Sequence, residues 1–206
     1  MSNSGGDVDS KTGDGIVLIV GGGGREHALA KSLLESVDVA EVHVAPGNAG
    51  TALLATNHAV SASDVESQVE LARKVGADLV VVGPEAPLAA GLADRLARNG
   101  VPVFGPTKAA ARIESSKVYA KELMERAGVP TAGFAAFSDP EEAAHYVRDG
   151  GAPVVVKASG LAAGKGAVVC ETVDEALETL DRMMTDRVFG EAGPFDYRAY
   201  LVNGLD

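Results

Sequence analysis

The sequence predicts an α/β protein in two parts, an open parallel sheet with helices on both faces followed by a smaller α+β unit. Continuous apolar runs such as Ile16-Val17-Leu18-Ile19-Val20 read as strands buried on both faces, and they alternate with stretches of helical periodicity. Near Ile113 that alternation stops, and further on a strand, a glycine-rich loop, a second strand and a helix follow one another. The expected organisation is a disordered Ser/Gly/Asp-rich extension over residues 1–15, a parallel-sheet domain over 16–113 and a second unit over 114–206.

Each element has its own signal. Gly21 to Gly24 follow the first strand, and a helix from about Arg25 to Ser36 is expected to bury Ala30, Leu33, Leu34 and Val37. A short strand over 41–45 comes next. Ser63-Asp64-Val65-Glu66 has capping-box spacing for a helix that ends near Gly76. Residues 78–82 form another strand, Pro87 opens a helix carrying Leu88, Leu92 and Leu96, and residues 101–104 give a fourth strand. In the second unit Ser115 or Ser116 caps a helix with Ala120, Leu123, Met124 and Ala127 on one face. Asp139-Pro140-Glu141-Glu142 supplies a cap, a proline at the first helical position and an acidic first turn. Strands are expected over 153–157 and 167–170, and Thr172-Val173-Asp174-Glu175 is a capping box for the helix after them.

Composition narrows the function. A net charge of −11 argues against a general nucleic-acid binder, which needs a basic surface to neutralise phosphates. No apolar run is long enough to span a bilayer and the N-terminus has no hydrophobic stretch, so the expected setting is cytoplasmic, away from membranes. The single cysteine, Cys170, excludes an internal disulfide and reads as a small buried apolar residue. His27, His43, His58 and His145 share no metal-ligand or triad spacing, so no metal ligand and no catalytic residue is assigned.

Four loops carry the chemistry. Gly21-Gly22-Gly23-Gly24-Arg25 joins a strand to a helix start, where exposed amides and the helix dipole favour an anion. A dinucleotide fingerprint fits it poorly, because the third glycine falls on Glu26 or His27 and the second strand ends in Ala45-Pro46 where a ribose-binding acid belongs. The loops Pro46-Gly47-Asn48-Ala49-Gly50-Thr51 and Gly83-Pro84-Glu85 also follow strands and face the same crevice. The bland alternative for all three is turn chemistry or close packing. Gly160-Leu161-Ala162-Ala163-Gly164-Lys165-Gly166 is not a P-loop, since three residues separate its first glycines and Gly166 follows the lysine. It reads as a hairpin able to close over phosphates, with Lys157 aimed at the same ligand; the alternative for Lys157 is a snorkelling surface lysine.

Five strings, GGGGREHA from Gly21, PGNAGT from Pro46, GPEAPL from Gly83, Phe104-Gly105-Pro106 and VVVKASGLAAGKG from Val154, resemble in order the N-terminal blocks of the phosphoribosylamine–glycine ligase family of the ATP-grasp superfamily. The resemblance runs from about Ile16 to Gly193. It implies a pre-ATP-grasp, Rossmann-like domain followed by the first part of an ATP-grasp domain: a helical segment and a small glycine-loop subdomain. It implies a ligase that joins glycine to 5-phosphoribosylamine with ATP, through a glycyl phosphate, to give glycinamide ribonucleotide in purine synthesis. Its cofactors would be ATP and Mg²⁺ or Mn²⁺, and its partners small molecules.

Carried over by position, Lys117 and Lys157 match the lysines that contact nucleotide phosphates, and Gly160, Leu161, Ala162, Ala163, Gly164, Lys165 and Gly166 match the flap over the triphosphate. Gly22, Gly23, Gly24, Arg25, Asn48 and Glu85 match blocks on the phosphoribosylamine side. Ser159 stands where many bacterial members have Asp, and Ala199-Tyr200 stands where family members carry an acidic pair that binds adenosine. The Glu and Asn that hold Mg²⁺ in the superfamily have no counterpart, so the chain is expected to be a truncated form that works, if at all, with the missing half in trans. Two rivals are a non-catalytic nucleotide- or phosphate-binding fragment and a Rossmann-type NAD enzyme, the latter disfavoured by the missing glycine and acid.

Overall fold

The computed structural model describes residues 13–158, 167–184 and 199–203. The chain divides into two compact units, one up to Ala111 and one from Arg112.

In the first unit β1 (Gly15–Gly21), β2 (Val39–Pro46), β3 (Thr56–Asn57), β4 (Leu79–Val82) and β5 (Val103–Phe104) form one sheet. The order is β3-β2-β1-β4-β5 and every pairing is parallel. The helices are α1 (Gly24–Leu34), α2 (Val65–Val75), α3 (Glu85–Ala90) and α4 (Leu92–Arg98). Central β1 shows why its sequence is apolar throughout. Val17 and Ile19 pack with Ala30 of α1 on one face, while Leu18 and Val20 pack with α2, Leu88 of α3 and Leu92 and Leu96 of α4 on the other. Each such fully buried Leu or Ile contributes about 1.5–3 kcal/mol.

Several expectations change. Asp64, not Ser63, caps α2, accepting from the Ser67 amide at 3.1 Å. Gly91, at φ +99°, breaks the helix expected from Pro87 into α3 and α4, because a left-handed residue cannot continue a right-handed helix. Val37 lies beyond the end of α1 and is exposed. Gly13 and Gly15 donate to Val37 O and Asp38 O, which leads the chain into β1 ahead of the expected start at Ile16.

α5 (Lys108–Ser115) spans the division between the units. The second unit then contains α6 (Lys117–Arg126), β6 (Phe134–Phe137), α7 (Pro140–Gly150), β7 (Val154–Ala158), β8 (Ala167–Cys170), α8 (Val173–Met184) and β9 (Ala199–Asn203). The strands form an antiparallel sheet in the order β6-β9-β7-β8. Val154, Val156, Cys170 and Leu201 pack against Ala143 and Val147 of α7 and Ala176, Leu180 and Met183 of α8. The caps read from sequence are present: Asp139 accepts from the Glu141 and Glu142 amides, and Thr172 and Glu175 cap each other's amides. On α6 the buried residue is Val118, while Ala127, expected inside, is exposed.

Candidate functional site

The ends of β1, β2 and β4 turn into loops that line a cleft of about 520 Å³, whose walls include Gly21 to Gly24, Arg25, Pro46 and Glu85. Ligands of open parallel sheets bind at this carboxyl edge. A Cβ on Gly24 would meet nothing within 4 Å, so the first turn of α1 has open space beside it. Arg25 reaches across the rim, where one guanidinium nitrogen donates to Gly83 O and the other lies 3.7 Å from Glu85 Oε1. Both side chains of that pair are exposed, so the contact orients Arg25 more than it stabilises the fold.

Asn48 is placed behind the glycine loop. Its Nδ2 donates to Gly22 O and Gly23 O, both at 3.1 Å, and its Oδ1 accepts from the Gly50 and Thr51 amides at 2.7 and 3.0 Å. Thr51 and Asn57 complete the set: the Thr51 hydroxyl accepts from the Asn48 amide, and Asn57 Nδ2 donates to Asn48 O at 2.8 Å. The side-chain amide of Asn48 is therefore engaged in holding two loops together. Sequence reading placed Thr51 and Glu26 in their loops without a role of their own and did not name Asn57. Glu26 is buried and its Oε2 accepts from the Gly23 amide, forming half a capping box because Gly23 has no side chain to return the bond.

In the second unit Lys117 opens α6 behind its cap Ser116, whose Oγ accepts from the Tyr119 amide at 3.3 Å. Burial, and then the charge of Lys157 on β7, lower the Lys117 pKa below the ordinary lysine value; Glu114 opposes the shift. The two lysines named from sequence are therefore near enough for the charge of one to act on the other. Lys121, one turn further on the same helix face, is lowered by burial and by Lys157 as well. Its ammonium donates to Thr131 Oγ1 and, at 3.0 Å, to Ala132 O. Lys121 was missed, and its four-residue spacing from Lys117 was the available signal. Partly desolvated ammonium groups that feel a further positive charge suit an anion that neutralises them. Gly160, Leu161, Ala162, Ala163, Gly164, Lys165 and Gly166 lie outside the described residues.

A larger groove, about 800 Å³, runs along α7 past Phe137 and Tyr146, but it holds none of the residues named from sequence and carries Glu141, Glu142 and Asp149. His43 Nδ1 and His58 Nε2 lie 3.0 Å apart, with Glu41 3.4 Å from His43 Nε2. Among the described residues no group of three or more His, Cys, Asp or Glu could hold a metal ion, and no helix is long and apolar enough to cross a membrane.

A parallel-sheet unit with an anion-suited cleft, joined to an antiparallel unit with converging lysines, is the arrangement of an ATP-grasp protein. The comparisons make that specific. Residues 16–114 match the description "Phosphoribosylglycinamide synthetase, N domain" and residues 115–195 match its "ATP-grasp (A) domain". The chain belongs to the phosphoribosylglycinamide synthetase family. It is 49% identical over 183 residues to a phosphoribosylamine–glycine ligase of Rhodopirellula baltica and 51% identical over 177 residues to one of Ralstonia nicotianae. Each match covers 86% of this chain and 42% of the relative, so the chain spans under half the length of the curated relatives it matches. Among solved structures, the phosphoribosylamine–glycine ligase of Thermotoga maritima superposes with a TM-score of 0.72 at 31% identity, covering 93% of this chain and 44% of that one. An N5-carboxyaminoimidazole ribonucleotide synthetase solved as an ADP complex shares the fold, with a TM-score of 0.67 at 20% identity over 94% of this chain and 48% of its own.

Proposed function

We propose that the chain supplies the sugar-phosphate site and part of the nucleotide site of an ATP-dependent ligase that joins glycine to 5-phosphoribosylamine. The reading rests on the family matches, and the observation that carries it is that a second ammonium, Lys157, acts on partly buried Lys117 within a chain of net charge −11. In this reading the glycine carboxylate attacks the γ-phosphorus of ATP, the bond to the β,γ-bridging oxygen breaks, and ADP leaves. The amine of phosphoribosylamine then attacks the glycyl carbonyl, phosphate leaves, and a proton is lost from nitrogen. Lys117 and Lys157 neutralise charge on the transferred phosphate, as such chemistry requires. Gly22, Gly23, Gly24 and Arg25 receive the sugar phosphate, with Glu85 orienting Arg25 and Asn48 holding the loop. Lys165 and the rest of Gly160 to Gly166 cover the triphosphate.

A divalent ion, Mg²⁺ or Mn²⁺, belongs to this chemistry in the reading. The described residues do not fit one, so its ligands are assigned elsewhere. The location consistent with such a reaction is the cytoplasm.

The test is a calorimetric panel on the 206-residue chain. ATP and ribose 5-phosphate, a stable stand-in for phosphoribosylamine, are expected to bind, and NAD⁺ and NADP⁺ are not. Micromolar affinity for either dinucleotide, or no affinity for ATP, would contradict the proposal.

A further inference from the structure

The glycine-rich loop looks, in sequence, like a cradle shaped for a ligand. Gly21 of this loop and Gly83, which follows β4, are instead closed off by one side chain. A Cβ on Gly83 would lie 2.0 Å from Glu26 Oε1, and one on Gly21 would lie 2.7 Å from Glu26 Cδ. At both positions, at the ends of the adjacent strands β4 and β1, the Glu26 side chain fills the space a Cβ would need, and Gly21 in addition takes φ +129°, a backbone conformation that favours glycine on its own. Its other oxygen, Oε2, accepts from the Gly23 amide at 2.5 Å. One carboxyl group thus touches the β1–α1 loop at two points and the β4–α3 loop at a third, while lining the cleft with only 5% of its residue surface exposed.

The position matters as much as the contact. Counting G-x-G-x-x-G from Gly21 and Gly23 puts the third glycine, which lets helix and strand pack closely in dinucleotide sites, on Glu26. Here an acid stands on the cleft floor and has taken one of the loop amides that a pyrophosphate would use. Donors remain toward the rim, at the start of α1 beside Arg25.

We propose that Glu26 is the positioning and specificity-determining residue of this cleft: it sets the spacing of the two loops and reserves the site for one sugar phosphate against a dinucleotide. The proposal deepens the reading given under Proposed function and rests on it for the ligand.

The test uses the 206-residue chain with Glu26→Ala, Glu26→Asp and Glu26→Gln, reading hydrogen exchange at the Gly23 amide and affinities for ribose 5-phosphate and ATP. Glu26→Ala is expected to speed Gly23 exchange and to weaken ribose 5-phosphate binding by roughly tenfold, the scale of one lost hydrogen bond to a charged group. ATP affinity should not move. Glu26→Asp keeps the charge but is one methylene too short, so it should behave like Glu26→Ala; it also serves where the alanine variant does not fold. Glu26→Gln keeps an acceptor and should restore most of both readouts. Wild-type exchange and affinity in the Ala or Asp variants, or a Gln variant as impaired as Ala, would overturn the proposal. If the wild-type chain bound no ribose 5-phosphate, the functional reading would fail and the specificity claim with it, while Gly23 exchange would still decide the positioning claim.

Discussion

Under the proposed function, the two units arrive at anion sites by opposite means. In the first, the site is built from backbone: glycine-loop amides, the start of α1, and loops tied by Asn48, Thr51, Asn57 and Glu26, with Arg25 the one cation among the described residues that line the cleft. In the second, burial and the charge of Lys157 depress the ammonium groups of Lys117 and Lys121. A preorganised backbone site registers damage as lost stability, because its parts are also the parts of the fold. A site of held charges registers damage as lost binding, because removing one lysine relieves its neighbours when no ligand is present.

That contrast can be broken first at Gly83. Gly83→Ala places a methyl group against the Glu26 carboxyl and should destabilise the first unit by about 1–3 kcal/mol, the range for overpacking, because the Glu26 tail must give way and lose its bond to Gly23. Denaturant unfolding of the chain reads it, with Gly24→Ala as control, since a Cβ there meets nothing within 4 Å and alanine is the better helix former. Equal effects from both substitutions would show that the loops do not close on Glu26.

A smaller effect sharpens the comparison at the sheet edge. His43 Nδ1 and His58 Nε2 lie 3.0 Å apart, with Glu41 Oε2 3.4 Å from His43 Nε2. Burial first, then the charges of His43 and Lys74, lower the His58 pKa from 6.5. The unfolded chain therefore binds more protons than the folded one between that lowered value and 6.5, so stability should fall as pH drops through this window. His58→Asn should flatten the dependence of the first unit's thermal midpoint between pH 7 and the acid limb. An unchanged slope would remove His58 from the account.

How far the sequence reveals all this depends on range. β1 and β4 are legible because a strand buried on both faces must be apolar throughout, as Leu18, Ile19 and Val20 are, whereas β2 carries Glu41 and His43 and shows itself only through Val42, Val44 and Ala45. Two-residue β3, β6 with its half-buried Phe134-Ala135-Ala136-Phe137, and β9 carry no such pattern; they become strands through partners far along the chain. The sites divide in the same way. Gly22, Gly23, Gly24, Arg25 and Glu85 come together at one cleft because loops after parallel strands share an edge. The structure places Asn48 behind them, joined to residues 22 and 23, a contact across 25 and 26 positions that no local pattern encodes. Glu26 was visible only as a missing glycine. Its role appears once Gly21 and Gly83 are seen closing on the same carboxyl group.

The central claim is that two separate anion sites, one of backbone and one of lysines, occupy the two units. Calorimetry of the Lys157→Ala chain with ATP and with ribose 5-phosphate tests it most directly. ATP affinity should fall by roughly 1.5–3 kcal/mol, about 10- to 150-fold, the value of a charge-assisted contact to phosphate, while ribose 5-phosphate affinity stays at the wild-type level. A folded variant that binds ATP as the wild type does, or that loses both ligands together, would contradict it.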